Sequence, residues 1–278
     1  MIKYDIMKKL FIFLTAAVLM AACSKPYVIV QIADAQLGFT AADKCEAEGR
    51  DFNDNVSYEL EFLKKAVAKV NEIKPDAVVF TGDQVHHPNN LTEWSAFKTA
   101  VSAVSKDVKV FHLPGNHDVF IGVNEVNMEP FEERFGKGSF VYEDGKVKLI
   151  GVNTNYIKYN DPRENEQFEW LEGVLGEKKG QTTLIFGHHP FFLEDIDEGE
   201  GYFPIQKDKR KTYFDMFRRH GVDAVFAGHY HNNANGSYEG IPSYTATSIS
   251  VQLGAAQQSI RVITIKKGIV TEEQIPLN

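Results

Sequence analysis

The sequence contains little cysteine. Only Cys23 and Cys45 occur among its 278 residues, so a disulfide framework is excluded. It also lacks internal repeats and low-complexity tracts, which excludes repeat architectures. No segment resembles the elbow that carries the serine or cysteine nucleophile of a covalent hydrolase. Any ester hydrolysis by this chain therefore needs a nucleophile other than a serine or cysteine side chain.

Basic residues are also in deficit. Lysine and arginine total 30 against 38 aspartates and glutamates, which gives a formal net charge of −8. Such an acidic chain is not built to bind nucleic acid broadly, and no nucleic-acid partner is expected. If the substrate is an anion, bound metal ions rather than a basic surface must attract it.

One uninterrupted hydrophobic run, Leu10–Met20, follows two lysines and ends in Ala21, Ala22 and Cys23. It is too short to span a bilayer comfortably, and small residues directly before a cysteine resemble the lipobox of bacterial lipoproteins. Residues 1–22 are therefore predicted to be a lipoprotein signal peptide, and Cys23 the lipidated N-terminus that attaches the protein to a membrane. Translation from Met7 would give a signal of ordinary length and remains an equal alternative.

A buried N-terminal helix is the competing interpretation of this run. It is disfavoured because the run is apolar on every face and Pro26 follows closely. The favoured interpretation places the protein outside the cytoplasm of a Gram-negative bacterium, facing the periplasm or anchored in the outer membrane. Ser24 supports the outer membrane, because it is not an aspartate-type retention signal. With Cys23 lipidated, Cys45 has no partner for an intrachain disulfide.

About 255 residues remain, enough for one large α/β domain over 23–278. Five short runs rich in β-branched or aromatic residues read as strands: Tyr27–Ile32, Ala77–Phe80, Val108–Leu113, Thr183–Phe186 and Ala224–Ala227. Segments with helical periodicity lie between them: Val56–Ile73, Leu91–Val104, Gln167–Leu175 and Thr212–His220, the last with Gly221 as its cap. This alternation predicts a largely parallel sheet covered by helices. Apolar and polar residues alternate over Tyr244–Pro276, which predicts closing antiparallel strands with a possible bulge near Val262.

Each predicted strand leads into a polar residue of metal-binding type. These residues are Asp34, Asp83, Asn116, His188, His229 and His231. The carboxyl ends of parallel strands share one edge of a sheet, so the six side chains should gather there. Carboxylate, amide and imidazole suit hard or borderline metals, and six ligands are too many for one tetrahedral zinc. Two metals that share a bridging carboxylate fit better.

Four motifs carry these residues in order: Gly82-Asp83, Gly115-Asn116-His117-Asp118, Gly187-His188-His189-Pro190 and Gly228-His229-Tyr230-His231. A glycine before each ligand lets the backbone turn sharply and approach the site closely. The chain resembles the calcineurin-like metallophosphoesterase superfamily in these motifs, from Asp34 to His231. The implied fold is a four-layer α/β/β/α sandwich with a dinuclear metal site at the carboxyl-terminal edge of the strands.

The resemblance also implies a role for each residue. Asp83 would bridge two divalent or trivalent ions of Mn, Fe or Zn, Asp34 and His231 would bind the first, and Asn116, His188 and His229 the second. His117 would face the scissile phosphate as an electrophile or general acid, with Asp118 orienting it. By its spacing to Pro190, His188 is favoured over His189 as the ligand. The implied reaction is hydrolysis of a phosphate ester by a metal-bridging hydroxide.

The first motif departs from the family pattern, because Gln36 stands where the family usually has histidine. Its amide oxygen would coordinate the first metal weakly or would hold a water. Gln36-Leu37-Gly38 resembles the branch around the calcineurin-like phosphoesterase domain-containing phosphatases, and a phosphomonoester is favoured over a diester. The alternatives are a catalytically crippled lipoprotein that binds a phosphorylated ligand, and a metal-dependent hydrolase of another ester.

Substrate choice is expected to depend on the loops between the strands: 38–55, 86–90, 120–129, 153–163 and 191–211. An aromatic wall for an organic leaving group has five candidates: Tyr156, Tyr159, Phe191, Phe192 and Tyr202. Arg50 and Arg163 are candidates for gripping a second anion. For any single one of these residues, packing within its own loop is the more common role.

Overall fold

A computed structural model describes residues 25–48, 55–177 and 179–278. The predicted signal segment, the lipidation site Cys23 and Arg50 lie outside these residues. Within the described ranges, no helix combines the length and apolarity needed to cross a bilayer.

Strands and helices alternate through most of the described chain. The first half contains β1 (Tyr27–Ile32), α1 (Phe39–Glu48), α2 (Ser57–Ile73), β2 (Ala77–Thr81), α3 (Leu91–Val101), β3 (Lys109–Leu113), β4 (Phe120–Gly122), β5 (Glu125–Asn127), α4 (Glu129–Phe135) and β6 (Phe140–Glu143). The second half contains β7 (Val147–Gly151), α5 (Thr154–Lys158), α6 (Arg163–Gly176), β8 (Thr182–Phe186), α7 (Lys207–Arg219), β9 (Ala224–Ala227), β10 (Ala234–Tyr238), β11 (Ile241–Thr245), β12 (Ser259–Lys266) and β13 (Ile269–Pro276).

These strands form two main sheets. The first has the order β13-β12-β1-β2-β3, with β1, β2 and β3 parallel and the last two strands of the chain antiparallel at one side. The second has the order β10-β11-β9-β8-β7-β6, with a parallel centre and an antiparallel strand at each edge. A separate hairpin joins β4 to β5.

Three apolar layers hold the sheets and helices together. Ile29 and Val79 of the first sheet pack against Leu184 and Phe226 of the second, and all four are fully buried. Helices α2 and α3 cover the outer face of the first sheet, and α6 and α7 cover the outer face of the second. The four-layer α/β/β/α sandwich expected from the sequence is confirmed.

The sequence located all five ligand-bearing strands, and their limits shift by two residues at most. Helix α7 starts five residues earlier than predicted, and α6 starts four earlier, at Arg163. The prediction of a bulge near Val262 is wrong, because β12 keeps an unbroken register with both of its neighbouring strands. Segment 38–55 is also no simple loop, since α1 occupies Phe39–Glu48.

The two sheets present their carboxyl-terminal edges on the same side of the molecule. Side-chain Nε2 of Gln31, in the first sheet, donates to the carbonyl of Ala227 in the second over 2.8 Å. Directly beyond, the backbone N–H of His229 donates to both carboxylate oxygens of Asp34, at 3.1 and 3.0 Å. Loops from both sheets are therefore in contact at this edge.

Leu184→Ala should lower the free energy of unfolding by about 2–5 kcal/mol, because it leaves a cavity between the sheets. Its side chain is fully buried in the inter-sheet core. Urea unfolding followed by circular dichroism measures the change. Leu91→Ala is the matched control, since Leu91 is 73% exposed and its truncation should change stability by less than about 0.5 kcal/mol. Equal effects of the two substitutions would contradict the inter-sheet core.

Candidate metal centre

The six strand-end residues converge at the common edge. Asp34 follows β1, Asp83 follows β2, Asn116 follows β3, His188 follows β8, and His229 and His231 follow β9. Two clusters result, each with ligand atoms within 4.8 Å of one another: Asp34, Asp83 and His231 in one, and His188, His189 and His229 in the other. The edge thus carries two adjacent groups of buried donors, as a dinuclear centre requires.

Asp83, a member of the first cluster, also reaches the second. Its Oδ2 is 3.3 Å from Nε2 of His188, and its Oδ1 accepts the backbone N–H of His117 over 2.8 Å. Asn116 Oδ1 lies 3.1 Å from the same His188 nitrogen. One carboxylate therefore contacts residues from both sheets, which is the position that a bridging ligand must occupy.

Backbone carbonyls fix the orientation of two imidazoles. Nδ1 of His188 lies 2.9 Å from the carbonyl of Thr81, and Nδ1 of His231 lies 2.7 Å from that of Val251. A carbonyl only accepts, so each Nδ1 carries the hydrogen. In the neutral ring, Nε2 then keeps its lone pair and faces the cluster, as in metal-binding histidines.

Several buried polar atoms at this edge have no hydrogen-bond partner within the part of the chain that the structure describes. They are Nε2 of His189, Nε2 of His229 and Oε1 of Gln36. A buried acceptor without a partner costs free energy, so such atoms rarely cluster without a ligand. Imidazole nitrogen and amide oxygen are metal donors, and these residues therefore fit the two ions that the motifs imply.

Gln36 uses its amide nitrogen within the protein. Nε2 contacts Nδ1 of His86 at 3.2 Å, while Oε1 is the unpaired atom. This orientation leaves the oxygen available as a weak donor to the first metal or to a water, the two roles expected from the sequence. The contact with Gln36 also makes His86 part of the site.

His86 is the residue that sequence reasoning missed, because it was grouped with the loop at 86–90. Its ring stacks on His117 with centroids 4.7 Å apart, and its carbonyl accepts Nδ1–H of His117 over 3.0 Å. The fully buried carboxylate of Glu93 holds the backbone N–H groups of His86 and His87. The position of this histidine, three residues after Asp83, was the sequence signal that could have identified it as a site residue.

The expected role of Asp118 needs correction. Its carboxylate accepts backbone N–H groups from Gln84, Val85 and Gly115, at 2.9, 3.2 and 2.8 Å. His117 instead takes its orientation from the carbonyl of His86. Asp118 therefore joins the loops after β2 and β3, and its effect on His117 passes through the backbone.

The backbone of the candidate ligands is strained. Five of these residues have positive φ angles between 41° and 68°: Asp34, Gln36, Asp83, His229 and His231. Left-handed backbone costs a non-glycine residue of order 1–3 kcal/mol, and it concentrates at functional sites. The N–H of Gln36 donates to the carbonyl of Asp83 over 2.7 Å, so one strained turn helps to hold another.

Motif glycines make room for ligands that belong to other motifs. A Cβ on Gly82, where φ is +95°, would lie 2.4 Å from Nδ1 of His188. A Cβ on Gly115 would lie 2.0 Å from Oδ1 of Asp83. Each glycine therefore serves close packing of the site as well as its own turn.

The charged groups of the site perturb one another. Burial lowers the pKa of His188, but Asp83 and Asp34 outweigh it and raise that pKa to about 9. Burial raises the pKa of Asp83, yet His188 and His117 hold it well below its usual range. Burial, assisted by neighbouring imidazoles, lowers the pKa of His229 and brings that of His231 to about 4.

The predicted aromatic wall is only partly correct. Phe191 and Phe192 are buried in the core beneath α7, and the ring of Tyr156 lies under Arg163. Tyr159 does meet the site, edge-on to His189 at 5.6 Å, and Tyr202 lies 5.1 Å from His229. Phe39 and Phe203, absent from the prediction, contact His231 and His229.

Of the two candidates for a second anion contact, only Arg163 lies within the described residues. Arg163 is paired with Asp161, Nη2 to Oδ2 over 2.7 Å, at the base of the β4–β5 hairpin, so its charge is already engaged. Arg50 lies outside the described residues.

The sequence model of the calcineurin-like phosphoesterase family matches residues 27–233, so the chain belongs to that family. It is 32% identical to the mouse serine/threonine-protein phosphatase CPPED1 over 86% of this chain and 80% of the relative. The zebrafish protein of the same name is 30% identical over 91% of this chain and 84% of its own length. A probable cyclic nucleotide phosphodiesterase of Rhodococcus erythropolis is 22% identical over 73% and 71%.

Solved structures show the same fold. A purple acid phosphatase from yellow lupin aligns with a TM-score of 0.64 at 14% identity, covering 92% of this chain and 52% of its own. A dimetal phosphatase from Danio rerio aligns with a TM-score of 0.63 at 15% identity, covering 91% of this chain and 100% of its own. The family supports phosphate-ester hydrolysis that depends on metal.

Metal binding should release protons at pH 7 and tighten as the pH rises towards 9. His188 has a raised pKa of about 9, and burial raises the pKa of Asp34 to about 8, so in the metal-free protein both groups are protonated at pH 7 and must lose their protons to bind metal. Each proton released corresponds to about a tenfold gain in affinity per pH unit below the pKa of its group. Calorimetric titration with Mn²⁺ in two buffers of different ionisation enthalpy counts the protons. Heats independent of the buffer would contradict a protonated His188.

Proposed function

We propose that this protein is a dinuclear metal-dependent phosphomonoesterase. The observation that carries the proposal is the pair of adjacent buried clusters, in which Asp83 of the first lies 3.3 Å from His188 of the second. Nε2 of His229 also has no hydrogen-bond partner among the described residues. Asp34, Asp83, His231 and the oxygen of Gln36 would hold one ion, and Asp83, Asn116, His188 and His229 the other.

Bound metals would supply Lewis acidity and lower the pKa of water, so that no protein nucleophile is needed. The protein's own residues position the groups that act on the substrate. His117, half-buried and stacked on His86, uses Nδ1 towards a carbonyl, which leaves Nε2 for the substrate. With Nδ1–H on the carbonyl, Nε2 carries a proton only in the imidazolium form; that proton would pass to the departing oxygen and leave His117 neutral.

The names of the relatives favour a monoester over a diester. The relatives at 30% identity or above are named as serine/threonine-protein phosphatases, whereas the phosphodiesterase relatives are 22% identical. The exposed side of the site is lined by aromatic rings, which suit an organic leaving group. We keep export as a lipoprotein, with lipid on Cys23, as part of the proposal on the strength of the sequence pattern alone.

Gln36 favours a second function, in which the site binds a phosphorylated ligand without turnover. Its amide replaces an imidazole, and its nitrogen is engaged by His86. A weakened first metal would leave the second cluster able to bind phosphate while hydrolysis fails.

Chelator-stripped protein reloaded with Mn²⁺, Fe²⁺ or Zn²⁺ should hydrolyse 4-nitrophenyl phosphate faster than bis(4-nitrophenyl) phosphate, with Asn116→Ala as the inactive control. Release of nitrophenolate measures both reactions. A preference for the diester would reverse the monoester assignment. Folded protein that binds two metals yet hydrolyses neither ester would support the binding function.

His117→Ala should slow alkyl phosphates by about 10²–10⁴-fold and 4-nitrophenyl phosphate far less, because nitrophenolate leaves without a proton. Steady-state rates on glycerol phosphate and 4-nitrophenyl phosphate give the comparison. His220→Ala, on the end of α7, is the control histidine. Equal slowing of both esters would eliminate the general-acid role.

A further inference from the structure

The segment between β8 and α7 includes a loop, residues 193–206, that is held from beneath by a buried arginine. Arg210 of α7 is fully buried, and its guanidinium donates to the carbonyls of Ile205, Ile196, Glu198 and Gly199 at 2.7, 3.3, 2.8 and 3.2 Å. All four acceptors are backbone atoms. The guanidinium therefore fixes the path of the 193–206 loop without contacting its side chains.

A second cation holds the tip of the 193–206 loop. Nζ of Lys158, at the end of α5, donates to the carbonyl of Gly201 over 3.1 Å and to that of Pro204 over 2.5 Å. These carbonyls lie on either side of Tyr202 and Phe203. The two aromatic side chains are therefore presented by a backbone that is tethered on both flanks.

Tyr202 extends from this tip over the second cluster. Its ring lies 5.1 Å from that of His229, and the residue is 63% exposed. The phenol therefore borders the second cluster on its solvent side. Phe203 packs beside it on His229 and Tyr230.

A phenol hydroxyl donates one hydrogen bond, so Tyr202 can donate to a ligand held at the second cluster.

We propose that Tyr202 is a substrate-binding residue, whose hydroxyl donates to a non-bridging phosphoryl oxygen held at the Asn116–His188–His229 half of the site. The proposal rests on the proposed function only in requiring a phosphoryl group at the metal centre. No covalent bond changes: the phenol donates a hydrogen bond to phosphate. The exposed ring then lies beside the leaving group.

The simplest rival is that Tyr202 only orients His229 as a metal ligand, through the packing of its ring. The two roles differ in what Tyr202→Phe changes. A ring that only packs on His229 is kept in this variant, so the affinities for metal and for phosphate would both stay intact. A hydroxyl that binds substrate would alter the affinity for phosphate at saturating metal.

The test is calorimetric titration of inorganic phosphate into full-length protein saturated with Mn²⁺, comparing wild type with Tyr202→Phe. We expect about tenfold weaker phosphate binding in the variant, with two metals still bound per chain. Tyr58→Phe is the matched control, because Tyr58 is a partly exposed tyrosine on α2 whose hydroxyl accepts from Gln258.

Unchanged phosphate affinity in Tyr202→Phe would overturn the proposal, whether or not metal affinity falls. Equal weakening in Tyr202→Phe and in the control Tyr58→Phe would also overturn it, because the loss of any tyrosine hydroxyl would then have the same effect. If the wild type binds phosphate but hydrolyses no ester, the proposed enzyme fails while this comparison still decides the role of Tyr202. In an active enzyme, the variant should raise KM for 4-nitrophenyl phosphate more than it lowers kcat.

Discussion

The shared carboxylate of Asp83 is the contact on which the rest of the site depends. It contacts His188 of the second sheet and accepts the backbone N–H of His117 from the loop after β3. Gly115 lies so close to this carboxylate that a side chain there would clash with it. A displacement of this one group would move donors in both clusters. The surrounding imidazoles stabilise its charge and hold its pKa low although it is buried.

Crowding so many donors at one edge has a conformational cost that the protein offsets locally. Five candidate ligands occupy left-handed backbone, which no run of the sequence favours by itself. Hydrogen bonds between the turns hold them there, including three to the carboxylate of Asp118. Asp118 is therefore best understood as the brace that keeps the loops after β2 and β3 in place.

The sequence predicted the features that depend on the pattern of neighbouring residues. Apolar runs that break into polar turns located β1, β2, β3, β8 and β9 and the residues that follow them, because parallel strands must end at one edge. It did not predict His86 or Phe39, whose places depend on how loops fold across the junction of the sheets. It also misassigned Phe191 and Phe192, since an aromatic residue next to a motif packs inward or outward according to a helix, α7, that lies later in the chain.

The manner in which Arg210 and Lys158 hold the 193–206 loop has an evolutionary consequence. Both cations bind backbone carbonyls, which every amino acid possesses, so most side chains of the loop can be replaced without loss of its path. The metal-binding edge, in contrast, tolerates few replacements at its glycines and strained turns. Substitutions at 202 and 203 thus offer relatives a route to new leaving-group preferences while the hydrolytic chemistry is inherited unchanged.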